Sequence, residues 1–107
     1  MAAFDKRRKA FEAEFERDQE LLFRITARRN RLLGLWAAAR LGLAAGDPAE
    51  TYAKTVVAAD FEAPGDGDVV GKVLRDLAAG GVSATELEVR AELARAAAQA
   101  RKELSGR

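Results

Sequence analysis

Residues 5–41 read DKRRKAFEAEFERDQELLFRITARRNRLLGLWAAARL, a run with no proline and a single glycine, Gly34. Nothing in it stops a helix, so the spacing predicts one of 35 or more residues from Asp5 to Leu41, about 55 Å long. Beyond it, both prolines and most glycines gather into three breaks that cut the chain into four helical segments. Gly42 to Asp47 is the first break, and Asp47-Pro48-Ala49-Glu50 reads as a helix start with Asp47 as N-cap, Pro48 at N1 and Glu50 reaching back. Pro64-Gly65-Asp66-Gly67 is the second, with Asp66 or Asp68 beside the next start. Gly80-Gly81 is the third, a left-handed helix end followed by Ser83-Ala84-Thr85-Glu86, which fits a capping box.

The segments carry core-facing stripes. Helix two, about 48–61, offers Tyr52, Val56, Ala59 and Phe61. Helix three, 67–79, offers Val70, Val73, Leu74 and Leu77 at i, i+3, i+4 and i+7 spacing. Helix four, about 84–104, presents Val89, Leu93, Ala96, Ala100 and Leu104. There are 24 alanines and no stretch that alternates β-branched or aromatic residues with polar ones. The expected fold is therefore all-α, a four-helix bundle. Helix one is too long for such a bundle to cover, because helix three spans only about 20 Å. The division expected is a mobile or partly helical N-terminal arm, 1–20, and a bundle, 21–107.

Composition narrows the function. The chain has 107 residues, no cysteine and no histidine. Thiol catalysis, Ser-His-Asp triads and the usual zinc sites are excluded. Pro64-Gly65-Asp66-Gly67-Asp68 fails as a calcium loop, because position twelve is Gly71 counted from Asp60 and Leu77 counted from Asp66. The glycines there also miss the dinucleotide fingerprint, and no phosphate-binding G-x-x-x-x-G-K-[ST] occurs. No catalytic constellation emerges, no metal or cofactor is expected, and the chain reads as a non-enzyme. The N-terminus lacks the apolar run of a signal peptide and no stretch is long enough to span a bilayer, so the expected location is cytoplasmic. The net charge of +1 argues against a nucleic-acid binder, although residues 1–31 carry nine basic and six acidic side chains.

Phe4, Phe11, Phe15 and Leu22 are spaced 7, 4 and 7, which keeps them within about 40° on a helix. A partner's groove, self-association, or an arm folded back on the bundle would each use that stripe. The basic block Lys6-Arg7-Arg8-Lys9 precedes an acidic one, Glu12, Glu14, Glu16, Asp18 and Glu20. That pattern suits a protein surface of mixed sign better than an anionic bilayer. Arg24, Arg28, Arg29 and Arg31 form a second cationic feature, either a phosphate grip or a face that pairs with carboxylates of neighbouring helices. Pairing is the simpler reading.

Ala27-Arg28-Arg29-Asn30-Arg31-Leu32-Leu33-Gly34 with Trp36-Ala37-Ala38 resembles the signature of one family. So does Tyr52 with Val56-Val57-Ala58-Ala59-Asp60-Phe61-Glu62 and Pro64-Gly65-Asp66. The family is the inhibitor zeta subunit of alphaproteobacterial F-type ATP synthases, and the resemblance runs from Phe4-Asp5 into the fourth helix. It implies a bundle with an inhibitory N-terminal segment that wedges between catalytic alpha and beta subunits beside the rotor stalk and blocks hydrolytic rotation. The implied partner is thus the catalytic head, with the chain peripheral to the inner membrane, inserted in none, and monomeric when free. Phe4, Phe11 and Phe15 are the expected anchors of the arm, with Asp5, Arg7, Arg8, Glu12 and Glu16 tuning encounter and register. Some members of the family bind adenine nucleotides weakly, which here would implicate Arg28, Arg29 and Arg31. The run Lys6-Arg7-Arg8-Lys9 and Phe11 depart from the arms of strong inhibitors. A weakly inhibitory or nucleotide-binding bundle, using the Arg24–Arg31 face, is the alternative.

Overall fold

In the computed structural model of the chain, the backbone is described for residues 2–61 and 65–105, and the side chains for these except 2–9, 11 and 15. All regular structure among the described residues is helical: α1 (Ala2–Arg40), α2 (Asp47–Ala59), α3 (Gly67–Ala79) and α4 (Glu86–Ser105). The long first helix is as expected, with 39 residues, and the molecule measures 65 × 27 × 21 Å. Helix α1 packs on α2 and α4, and α3 closes the bundle against both of these and the C-terminal half of α1.

Helices α1 and α3 end in the same way. Gly42 has φ 79° and Gly81 has φ 76°, a left-handed conformation that costs glycine little. After α1 the Leu43 N–H donates to the Ala38 carbonyl at 2.9 Å and the Gly42 N–H to Ala39 at 3.1 Å. After α3 the Val82 N–H donates to Leu77 at 2.8 Å and the Gly81 N–H to Ala78 at 3.0 Å. Each pair satisfies carbonyls that a helix end otherwise leaves open.

Helix α3 starts at Gly67 with Asp66 at its N-cap, as expected, whereas the starts of α2 and α4 differ from expectation. Helix α2 begins at Asp47, its N-cap is Gly46 at φ 96°, and no side chain caps it. Glu50 does not reach back, because its carboxylate is held by Arg31 of α1, and a charge-assisted bond outcompetes a neutral amide donor. Helix α4 begins two residues later than expected, at Glu86. Its capping box is Thr85-Glu86-Leu87-Glu88: the Glu88 N–H donates to Thr85 Oγ1 at 3.1 Å, and that hydroxyl donates to Glu88 Oε1 at 3.2 Å. Val82 and Ala84 pack against the core, so the chain stays non-helical until both are placed.

The core is built from small aliphatics. Leu33, Val56, Val69, Val73, Leu77 and Val89 are fully buried, with Ala37, Val70 and Leu93 beside them. Of the expected stripe residues, Tyr52, Leu74 and Leu104 are only half-buried, and Val69 joins the core unforeseen. Phe61 is a correction: α2 ends at Ala59, so this ring lies past the helix and is 68% exposed. Gly34 sets the spacing of α1 and α2. A Cβ there would lie 2.7 Å from the Ala53 Cα and 3.0 Å from its Cβ, closer than real carbon atoms pack.

Tyr52 bridges α2 to α3. Its hydroxyl donates to Asp76 Oδ2 at 2.8 Å, which also accepts from Lys72 Nζ at 2.9 Å. Burial, then the bond to Asp76, pushes the phenol well above its ordinary range.

Two stability outcomes follow from this packing. Gly34→Ala should lower stability by about 1–3 kcal/mol through overpacking. Gly71→Ala, where the new methyl meets only the guanidinium tip of Arg75, should raise it by about 0.5–1 kcal/mol through helix propensity. Urea unfolding of both variants reads the opposite signs. For Tyr52, the raised pKa means its contribution is full below pH ~10, the unfolded value, and is lost as pH rises beyond it. Tyr52→Phe should therefore cost about 1 kcal/mol at pH 7, and the gap to the parent should narrow in thermal melts above pH ~10.

Candidate functional site

The backbone of α1 is helical from Ala2, and among the described side chains the first buried one is Ile25. Glu14, Glu16, Arg17, Asp18, Gln19 and Glu20 are exposed, and Leu22 is 54% exposed. The expected contact residues Phe4, Asp5, Arg7, Arg8, Phe11 and Phe15 have side chains outside the described residues. Helical spacing alone puts the Phe4, Phe11, Phe15 and Leu22 positions in line with Arg29 and Leu33, which face the bundle. Glu12 and Glu16 are both exposed.

Four arginines lie close together further along the same helix, and each has a carboxylate. Arg24 Nη2 lies 3.4 Å from Glu20 Oε1 one turn back. Arg28 reaches α4, with Nη1 2.6 Å from Glu103 Oε1. Arg29 reaches the N-cap of α3, with Nη2 3.1 Å from Asp66 Oδ1. Arg31 reaches α2 and grips Glu50 with two bonds, Nε at 3.1 Å and Nη2 at 2.5 Å. Within four residues the helix thus sends one guanidinium to each of the other three helices. A phosphate on Arg28, Arg29 or Arg31 would have to displace these carboxylates. The arrangement is the pairing pattern that the sequence suggested for this run.

Arg29 is the most enclosed of the set, with its side chain 13% exposed. Its Nε donates to Asn30 Oδ1 at 3.0 Å, and Asn30 is itself buried, with 1% exposed. The buried Nη2 has no aligned hydrogen-bond acceptor, so its contact with Asp66 is an ion pair of charge rather than of directed bonding. Glu103, by contrast, sits at the bundle surface with about a third of its side chain in solvent. A bond from the Gln99 amide, followed by Arg28, holds its carboxyl below the usual range. That contribution is present above the unfolded carboxyl pKa and is lost as pH falls through the folded one.

Where α1 leaves the bundle, large apolar side chains stay in solvent. Phe23 is 57% and Phe61 68% exposed, and their ring centroids are 5.9 Å apart. Between them and Leu22, Asn30 and Val57 lies a groove of about 280 Å³. Phe23 also borders a second hollow of about 480 Å³, walled by Val57 and Leu104 and rimmed by Arg24, Arg28 and Arg31. Sequence reasoning missed this junction. Phe23 lies off the stripe of the other phenylalanines, and Phe61 read as a core residue of α2.

Among the described residues no three His, Cys, Asp or Glu side chains are placed to hold a metal ion. Among these residues, too, no helix is long and apolar enough to cross a membrane. A small helical bundle whose first helix outruns it, with cationic struts and an apolar junction at the exit, defines a helical interaction module. The sequence matches the ATPase inhibitor subunit zeta family over residues 1–103. The match covers nearly the whole chain, and the protein belongs to that family, whose members are regulatory subunits. Comparison with curated protein sequences gave no match.

The three struts should differ in weight. Arg29→Ala should destabilise by about 1–3 kcal/mol, because it strips the acceptor of a buried amide of its donor. Arg28→Ala and Arg31→Ala, with partly solvated pairs, should each cost about 0–1 kcal/mol. Guanidinium chloride titrations of the three variants give the ranking, and equal losses would contradict it.

Proposed function

We propose that the protein inhibits ATP hydrolysis by a rotary F-type ATP synthase, with residues 1–20 as the inhibitory arm and residues 21–107 as the carrier bundle. The arm enters the catalytic head between alpha and beta subunits beside the rotor stalk, and there obstructs rotation in the hydrolytic direction. The chain works on the cytoplasmic side, peripheral to the membrane through the synthase. What supports the reading is the family match, which includes the arm as well as the bundle. Helix α1 also projects exposed polar side chains for several turns before Ile25.

The physical logic is that of helix-in-groove binding. Phe4, Phe11 and Phe15 serve as anchors, because aromatic side chains in desolvated pockets carry most of the energy of an interface. Asp5, Arg7, Arg8, Glu12 and Glu16 set encounter rate and register, since charges at a rim act on association more than on affinity. A helical arm also loses less conformational freedom on binding than an unstructured one would.

The test measures ATP hydrolysis by the catalytic head with increasing amounts of three proteins. These are the full chain, residues 21–107, and the full chain carrying Phe11→Ser and Phe15→Ser. The full chain should inhibit, the truncation should not, and the double variant should need at least about tenfold more protein. Far-ultraviolet circular dichroism confirms that the truncated bundle is folded. Equal inhibition by folded 21–107 would overturn the assignment to the arm.

A further inference from the structure

Among the described residues, position 30 is the one place where the core of the bundle is not apolar. On α1 it shares a face with Leu33 and Ala37, at i, i+3 and i+7, and both of those are fully buried. Asn30 itself is 1% exposed. No other residue of α1 between Ile25 and Leu33 is buried, so the turns nearest the exit of the helix are centred on an amide. A leucine there would bury more apolar surface, whereas an amide away from water costs free energy unless it is bonded. What a buried polar group contributes is direction: its hydrogen bond fails when the partners slip, and an aliphatic contact does not.

The bond of Asn30 leads to another helix. Its Oδ1 accepts from Arg29 Nε at 3.0 Å, which orients the guanidinium. Arg29 Nη2 then lies 3.1 Å from Asp66 Oδ1, at the N-cap of α3. The buried face of α1 is thus tied to the start of α3 through one enclosed guanidinium. The other ties of α1 are looser. Arg28 and Arg31 reach α4 and α2 through side chains 38% and 43% exposed. The crossing of Gly34 on Ala53 sets how closely α1 and α2 approach, but a contact between such small residues is smooth and leaves rotation free.

From this arrangement we infer that Arg29 and Asn30 are positioning residues, which fix the rotation and height of α1 in the bundle and so the direction in which the N-terminal arm leaves it. Residues 2–33 contain neither glycine nor proline, and α1 is one helix from Ala2. Rotation at residue 30 is therefore carried outward. Positions 15 and 22 lie in line with Arg29, so the phenylalanine stripe turns with it. The lever is long. From residue 30 to residue 4 the helix runs about 39 Å, and a tilt of about 10° at the exit moves its far end about 7 Å. A shift of that size takes an aromatic side chain out of its pocket. This consequence rests on the proposed function, whereas the fixed rotation of α1 does not.

Spin-label distances test the tie without reference to inhibition. The chain has no cysteine, so Asp18→Cys and Lys54→Cys, both at exposed positions, put one label on α1 outside the bundle and one on α2. The labelled parent should give a single narrow distance distribution. Arg29→Met with Asn30→Leu removes both halves of the bond together and leaves neither unpaired, and residue 30 borders a groove of about 280 Å³ that takes the added bulk. This double variant should melt close to the parent, yet its distribution should be at least about twofold broader. Asp66→Ala cuts the tie from the other side. Asp66 is 46% exposed and makes no capping bond, so α3 should stay intact while the distribution broadens in the same way. Against the catalytic head, both variants should need several times more protein than the parent. Phe11→Ser with Phe15→Ser should lose inhibition while keeping the parent's narrow distribution. A broad distribution in the parent, or a narrow one in both variants, would overturn the inference. Full inhibition by the Phe11→Ser, Phe15→Ser protein would instead overturn the proposed function and leave the positioning role standing.

Discussion

The crossing of α1 over α2 at Gly34 and Ala53 is the constraint on which the remaining packing depends. A Cβ at Gly34 has no room against the Ala53 backbone, so the two helices approach as closely as their main chains permit. That approach explains the composition of the core. Ala37, Ala38, Ala49 and Ala53 are buried, and larger residues at these positions would push α2 away. It also sets the reach of the arginines. Arg31 spans the gap to Glu50 with two bonds, a geometry that needs α1 and α2 held at a fixed separation.

With α2 fixed, α3 and α4 are placed by a thin layer of valine and leucine and by polar ties at the periphery. Tyr52 and Asp76 join α2 to α3, Arg29 and Asp66 join α1 to α3, and Arg28 and Glu103 join α1 to α4. Exposed ion pairs contribute little to stability individually. Their value here is directional, since each cation of the Arg28–Arg31 run meets a different helix and so distinguishes one arrangement of short helices from another. The same run sits at the point where α1 leaves the bundle, and it therefore anchors the base of the projecting helix.

Much of this was legible in the residues. The unbroken run from Asp5 to Leu41, the glycine stops at Gly42 and Gly81, and the Val70–Leu77 stripe each express a local rule that tertiary packing did not override. The readings that failed shared a cause. Asp47 reads as an N-cap and Glu50 as its capping partner because capping is the nearest use for a carboxylate at a helix start. Gly46 holds the N-cap position instead, and Glu50 meets a guanidinium on a helix distant in sequence. Ser83 and Thr85 both begin an acceptable capping box, and packing of Val82 and Ala84 on the core chose the second. Phe61 reads as core only if α2 runs two residues past its end at Ala59.

The sequence by itself determined the helical class, the number of helices, the excess length of the first and, through its motifs, the family. These follow from helix propensity, from glycine and proline at the breaks, and from apolar spacing, all of which act within a few residues. Only the tertiary structure decided that Arg28, Arg29 and Arg31 point to three different helices, that Gly34 is a contact rather than a flexible joint, and that Phe23 and Phe61 meet in solvent. Each of those depends on which surfaces come together across tens of residues. Local spacing fixes the face on which a side chain lies, and only the packed bundle fixes what that face meets.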